Sequence, residues 1–225
     1  EQAGRANRDM NRGNSGGIGG NAIQNTTAIA GATYAAGSIV SNYLDDPRQY
    51  MKQISLATDT ALAGQKMSID QFNSKVSEIE GFVRNSTISG GSSPTQMVSA
   101  LNTLTASNVF DFDELKHRML QVSRTAFASG ADADDIAKMT IAQRNFGLTD
   151  LEKANDQAMK AGQLGSFELR DMARYMPDLL TQGKGAGYIG DKGYRSILSM
   201  MQLSKKTAGT ADSAAINLSL HYQQF

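Results

Sequence analysis

The stretch "AGQLGSFELRDMARYMPDLL", residues 161–180, crowds Glu168, Arg170, Asp171 and Arg174 into one short segment. Whether those charges are a reactive site or a wet surface decides how the chain is read. Leu169, Met172, Ala173, Met176 and Leu180 recur at the spacing of one helical face, which leaves the charges mostly on the other side. Ser166 stands where an N-cap belongs, Glu168 falls where a helix dipole favours an anion, and Pro177 limits how far a straight helix runs. The segment reads as a short amphipathic helix, and the charges as its solvated face.

The same punctuation recurs outward from it. Asp46 before Pro47 predicts a helix start, with Tyr50, Ile54, Ala57 and Ala61 on one face as far as Gly64. A second run starts near Ser68 or Asp70 and carries Phe72, Val76, Ile79 and Val83 into a polar stretch, "RNSTISGGSS", that reads as a loop. "SPTQ" at 93–96 is a capping box with proline at the first helical position, backed by Met97, Ala100, Leu101 and Leu104. "DFDE" at 111–114 caps a helix carrying Leu115, Met119, Val122 and Ala126 up to Gly130. Asp132 opens the next, with Ile136, Met139 and Thr140 inside and Gly147 as its stop. "TDLE" at 149–152 opens another that ends at Gly162, Ser166 opens the segment quoted first, and Asp212 opens the last. Almost no run alternates apolar and polar residues, so the reading is all-α: a compact bundle or array of short helices. Its core is expected to hold Leu101, Leu104, Leu115, Met119, Ile136, Phe167, Leu169, Met172, Met176, Leu198 and Met201.

Before that array lies a Gly/Ala-rich N-terminal extension. Residues 1–21 mix Arg5, Arg8 and Arg12 with clustered glycines and read as a flexible linker or docking arm. Residues 22–84 read as a helical extension, and 85–225 as the core helical domain, with the boundary at the polar stretch near 85–92. Within the extension, "AIQNTTAIAGATYAAGSIV" at 22–40 presents Gly31 with Ala35, or Ala32 with Ala36, as a small-residue ridge. Ile29, Gly31, Tyr34, Ala35, Ile39 and Val40 form the candidate self-association face. A membrane-active segment is the alternative, but Gln24, Asn25, Thr26 and Thr27 leave only a short apolar stretch. Glu1 at the start and a helical-looking run at Phe225 read as the ends of a piece of a longer chain.

Composition narrows the chemistry. The chain of 225 residues carries 22 Lys+Arg against 22 Asp+Glu, so no global field draws it to nucleic acid. There is no cysteine, and His117 and His221 are the only histidines, which removes Cys/His zinc clusters. "GAGYIG" at 185–190 matches GxGxxG, but the run before it is helical and no strand follows, so it reads as a connector between helices. His117 sits on a helix as an ordinary exposed histidine. Asp132, Asp134 and Asp135 lack the spacing of a calcium loop and read as cap and first-turn charges. Lys192, Tyr194 and Arg195 are too few for a nucleic-acid platform. The methionines Met97, Met119, Met139, Met172 and Met201 read as adaptable core filler. No catalytic residue, cofactor site or metal site is assigned.

The order of these pieces is more specific than any one of them. "GGSSPTQMVSALNTLTAS", "ASGADADDIAKMTI", "KAGQLGSFELRDMARYMPDLL" and "RSILSMMQLSKKTAGTADSAAINL", in that sequence, resemble the core region of phage tail tape measure proteins over roughly residues 74–220. The features of that family fall on Ala100, Leu101 and Leu104; on residues 128–130; on Ala161, Gly162, Gly165, Phe167, Leu169, Asp171, Met172, Ala173 and Pro177; and on residues 208–210. Asn108 stands where the family often has glycine, an exchange that asparagine's tolerance of left-handed backbone allows. The resemblance implies a structural role. Several copies of a longer chain would lie in the tail tube, set tail length during assembly in the host cytoplasm, and leave ahead of the genome. The implied partners are other copies, the tail tube and tail assembly proteins. No specific nucleic acid is implied, and membrane contact comes only at infection. A pore-forming segment at 22–40 and a cell-wall hydrolase accessory region are the rival readings.

The connector reading of "GAGYIG" predicts no saturable heat with ATP or NAD in calorimetry at millimolar nucleotide. A dissociation constant in the micromolar range, about −8 kcal/mol, would refute it.

Overall fold

The computed structural model describes residues 46–224. Among the described residues there are nine α-helices and no strand. In chain order they are α1 (Pro47–Ala61), α2 (Ile69–Gly90), α3 (Pro94–Ala106), α4 (Phe112–Ser129), α5 (Ala133–Phe146), α6 (Leu151–Leu164), α7 (Leu169–Gly185), α8 (Gly190–Thr207) and α9 (Ala211–Tyr222). Residues 22–40, and with them Ile29, Gly31, Tyr34, Ala35, Ile39 and Val40, lie outside the described residues.

Side-chain caps start most of these helices. Asp46 accepts from the amides of Arg48 and Gln49, and Ser68 and Ser93 each form a complete capping box with Gln71 and Gln96. Asp111 accepts from the Glu114 amide and Asp132 from that of Asp134. Left-handed glycines close α2, α4 and α5 at Gly91, Gly130 and Gly147. Asn108, with φ 51°, occupies the left-handed region in the turn between α3 and α4.

Five local readings are corrected. The helix at 151 is capped by Asp150, whose carboxylate takes the Lys153 amide at 3.0 Å, rather than by Thr149. The last helix is capped by Thr210, which accepts from Ser213, while Asp212 sits in the first turn and accepts from the Tyr175 hydroxyl. The polar stretch 84–90 is helix, not loop: α2 runs through it to Gly90. Its buried face there is built from Ser86 and Gly90, small or polar residues that composition does not flag as core. A Cβ at Gly90 would lie 2.2 Å from Ser123 Oγ, so only glycine lets α2 close on α4. Pro177 does not limit α7 either. Leu179 and Leu180, both buried beyond it, hold the helix together against a proline cost of about 3 kcal/mol.

The fifth correction concerns the segment 161–180. Gly162 is inside α6 rather than at its end, and α7 starts at Leu169 with Glu168 as its N-cap, so Ser166 caps nothing. The cause is Gln202 of α8. Its side-chain amide accepts from the Phe167 backbone N–H at 2.9 Å and donates to the Phe167 carbonyl at 2.8 Å. Both backbone groups are thereby paired outside any helix, and Phe167 is pulled fully into the core. The glycines make room. A Cβ at Gly165 would lie 1.9 Å from Gln202 Oε1, and one at Gly162 would lie 2.8 Å from the Leu169 amide nitrogen.

One hydrophobic cluster runs through all nine described helices. Helix α2 lies along α4, with Phe82 against Phe112 at 5.9 Å between ring centroids, and α1 packs on α3. Helix α5 then joins the halves by packing on both α3 and α7. In the second half α7 and α8 pack on each other and are flanked by α6 and α9. Leu101, Leu104, Leu115, Met119, Ile136, Phe167, Leu169, Met172, Met176, Leu198 and Met201 all lie within the cluster.

Replacing Leu169 or Met172 by alanine should cost about 2 to 5 kcal/mol in urea unfolding. Arg174→Ala, which loses only an exposed contact to Asp135 at 3.4 Å, should cost less than about 1 kcal/mol. Gln202→Ala strands both Phe167 backbone groups and should cost about 1 to 3 kcal/mol for each. A small loss there would show that the clamp does not hold the corner.

Candidate functional site

The charges that could have made a reactive site are mostly absorbed by the fold. Asp132 caps α5, Asp134 accepts from Thr103 and pairs with Lys138 at 2.7 Å, and Asp135 faces Arg174. Glu114 pairs with Arg144, and Lys153 with Asp191 at 2.9 Å. Among the described residues no group of His, Asp or Glu is arranged to hold a metal ion. Glu168, Arg170 and Arg174 are exposed, and Asp171 is half-buried beside Arg170.

"GAGYIG" spans the end of α7, a turn and the first residue of α8. Gly187 and Gly190 take positive φ there, and a Cβ at Gly193 would lie 2.8 Å from the Tyr188 carbonyl carbon. The glycines thus serve a tight helix-to-helix connection. Tyr194 is no stacking platform. It is fully buried, accepts from Gln143 Nε2 at 2.8 Å and donates to the Ala154 carbonyl at 3.1 Å. Burial pushes its hydroxyl pKa well up, so it stays a neutral donor.

Three concavities lined by described residues are relevant. Between α4 and α6 lies one of about 390 Å³, rimmed by His117, Arg118, Arg124, Glu152 and Asp156. Burial lowers the Arg118 pKa, with Glu114 opposing. The Asn155 amide lies buried at that site without a hydrogen-bond partner among the described residues, its atoms closed off from the opening. The mixed signs of the rim select no ligand charge.

The other two are apolar and differ in sign. A groove of about 670 Å³ between α6 and α8 has Leu198 in its wall and Leu164 and Leu203 standing out at 80% and 64% exposure. Lys160, Arg195 and Lys206 line it, with no carboxylate. A smaller one of about 220 Å³, between α7 and α9, has Leu179 in its wall and Ile216 and Leu220 exposed at 59% and 52%. Asp178 and Asp212 line that one, with no Lys or Arg. None of these residues was assigned a docking role from sequence. The available signal was that Ile216 and Leu220 break the polar face of α9, and Leu164 and Leu203 those of α6 and α8. Among the described residues no helix is long and apolar enough to cross a membrane.

The chain is similar in sequence to a known protein and to a family profile. It is 26% identical over 164 residues to a "Probable tape measure protein" of Burkholderia phage BcepMu, a match that covers 71% of this chain. The match covers 19% of that relative, so the chain corresponds to a small part of its length. No solved structure matches the chain. A family profile described as "Phage-related minor tail protein" matches residues 84–220, from the end of α2 to α9, and the chain belongs to that family.

Proposed function

We propose that this phage tail protein is part of a tape measure, occupying the lumen of the tail tube and setting its length before genome ejection. The observation that carries the reading is the match to a probable tape measure protein several times longer than this chain. A compact helical unit within a long chain suits a protein whose length is its function. The partners in this reading are the tail tube, tail assembly proteins and further copies of the chain, in the virion tail and, during assembly, in the host cytoplasm. The face at Gly31 and Ala35 is one proposed contact between copies.

In the phage that encodes the chain, inserting about 40 helix-forming residues within residues 1–21 should lengthen tails by about 60 Å, at 1.5 Å per residue. Electron micrographs of purified tails measure this directly. Tails of unchanged length, with the enlarged protein present in them, would overturn the length-setting role.

A further inference from the structure

We infer that copies of this chain dock head to tail, the outer ridge of α9 from one copy lying in the α6/α8 groove of the next. This rests on the proposed reading in which several copies act together, and it assigns the surfaces. Helix α9 buries Ala214, Ala215, Leu218 and Tyr222 against its own chain, yet its opposite side carries Ile216 and Leu220 one turn apart. Between Ala211 and Tyr222 the only acidic or Lys/Arg side chain is Asp212. Two exposed apolar side chains stacked one turn apart on an otherwise polar face form a ridge that a partner surface can cover.

The groove between α6 and α8 has the complementary character. Its wall is apolar and Leu164 and Leu203 flank it, while Lys160, Arg195 and Lys206 supply only positive charge. None of these three cations is in an ion pair within the described residues, and neither Asp178 nor Asp212 is. One surface thus offers an apolar ridge edged by two carboxylates, and the other an apolar groove edged by three cations. Opposite signs at the rim steer the encounter and fix its register, and the leucines and isoleucine are the contact that excludes water. Two grooves of the same sign would repel, which argues against pairing like surface to like.

The two surfaces share no residue. A contact between different patches is heterologous and repeats: it closes into a ring where the rotation allows, and otherwise leaves a groove free at one end and a ridge free at the other. The charge balance of the whole chain, 22 against 22, is compatible with such stacking because no net repulsion accumulates along it.

Sedimentation velocity on the 225-residue chain, from about 1 to about 100 µM, covers dissociation constants down to about −8 kcal/mol. The sedimentation coefficient should rise with concentration past that of a dimer. Leu164→Asn with Leu203→Asn blunts the groove, and Ile216→Asn with Leu220→Asn blunts the ridge. All four positions are exposed, so the thermal transition by circular dichroism should move little. Each double variant alone should associate at least tenfold more weakly. An equimolar mixture of the two should form a one-to-one dimer that does not grow, because each partner then has one working surface. A chain that stays monomeric throughout overturns the inference. So does association that survives both double variants, and its loss on Gly31→Leu with Ala35→Leu would place the contact at residues 22–40 instead. A mixture that grows beyond the dimer also refutes head-to-tail docking. None of these outcomes touches the tail-length measurement, so the two readings fail separately.

Discussion

The corner between α6 and α7 hangs on one side-chain amide. Gln202 reaches from α8 and pairs with both the N–H and the carbonyl of Phe167, so the chain can leave helical geometry at a buried position without stranding a polar group. Much of the second half depends on that exit. With Phe167 fixed in the core, α7 starts at Leu169, and Leu169, Met172 and Met176 face inward. Tyr175 then lies at 6.1 Å from the Phe167 ring, where its hydroxyl reaches Asp212 and ties in the start of α9. Glycine at 162 and 165 is a condition of the same contact, since a Cβ at either would collide with Leu169 or with Gln202 itself.

A second polar lock does for α5 what the first does for α7. Tyr194 on α8 accepts a hydrogen bond from Gln143 on α5 and donates one to the Ala154 carbonyl on α6, so three helices meet at one buried hydroxyl. Such bonds add little net stability each, but a shifted register would leave their partners unpaired at a cost of about 1 to 3 kcal/mol. The apolar cluster drives collapse, and these few polar contacts select one arrangement of it. In the first half the same selection falls to Ser92 and Ser123. The Ser92 amide donates to Ser123 Oγ, and the Ser92 hydroxyl donates to the Ser123 carbonyl.

What could be read in the sequence was local. Ser68, Ser93, Asp111 and Asp132 announce helix starts because a cap and its amides lie within a few residues of each other. The inward stripes of Leu101, Met119 and Ile136 show by periodicity alone. Ser166 was misread because the true constraint on residues 165–168 comes from a glutamine 35 positions away, which no local pattern reports. Gly162, read as a helix end, was misread for a related reason. A glycine that ends a helix and one that admits a neighbouring helix look alike until the neighbour is known. The two grooves were invisible to the motifs, since each draws its lining from helices far apart in the chain.

The distribution of charge bears on what such a scaffold is for. The acids that cap helices and the ions paired across them are committed to holding the array together, and exposed pairs of that kind contribute at most about 1 kcal/mol each. Catalysis needs the opposite economy: charged groups gathered in one cleft, desolvated, and left short of partners until a substrate arrives. The concavity between α4 and α6 has its Asn155 amide closed off from the opening and cations and carboxylates mixed along its rim. Lys160, Arg195 and Lys206 at one groove, and Asp178 and Asp212 at the other, have no ion-pair partner among the described residues; they are sorted by sign and edged with exposed apolar side chains. Sorting by sign beside apolar surface is useful to a protein that must meet another surface in one orientation. A chain whose interior is held by locks such as Gln202 and Tyr194 can present that face rigidly, which lowers the entropy cost of each contact it makes.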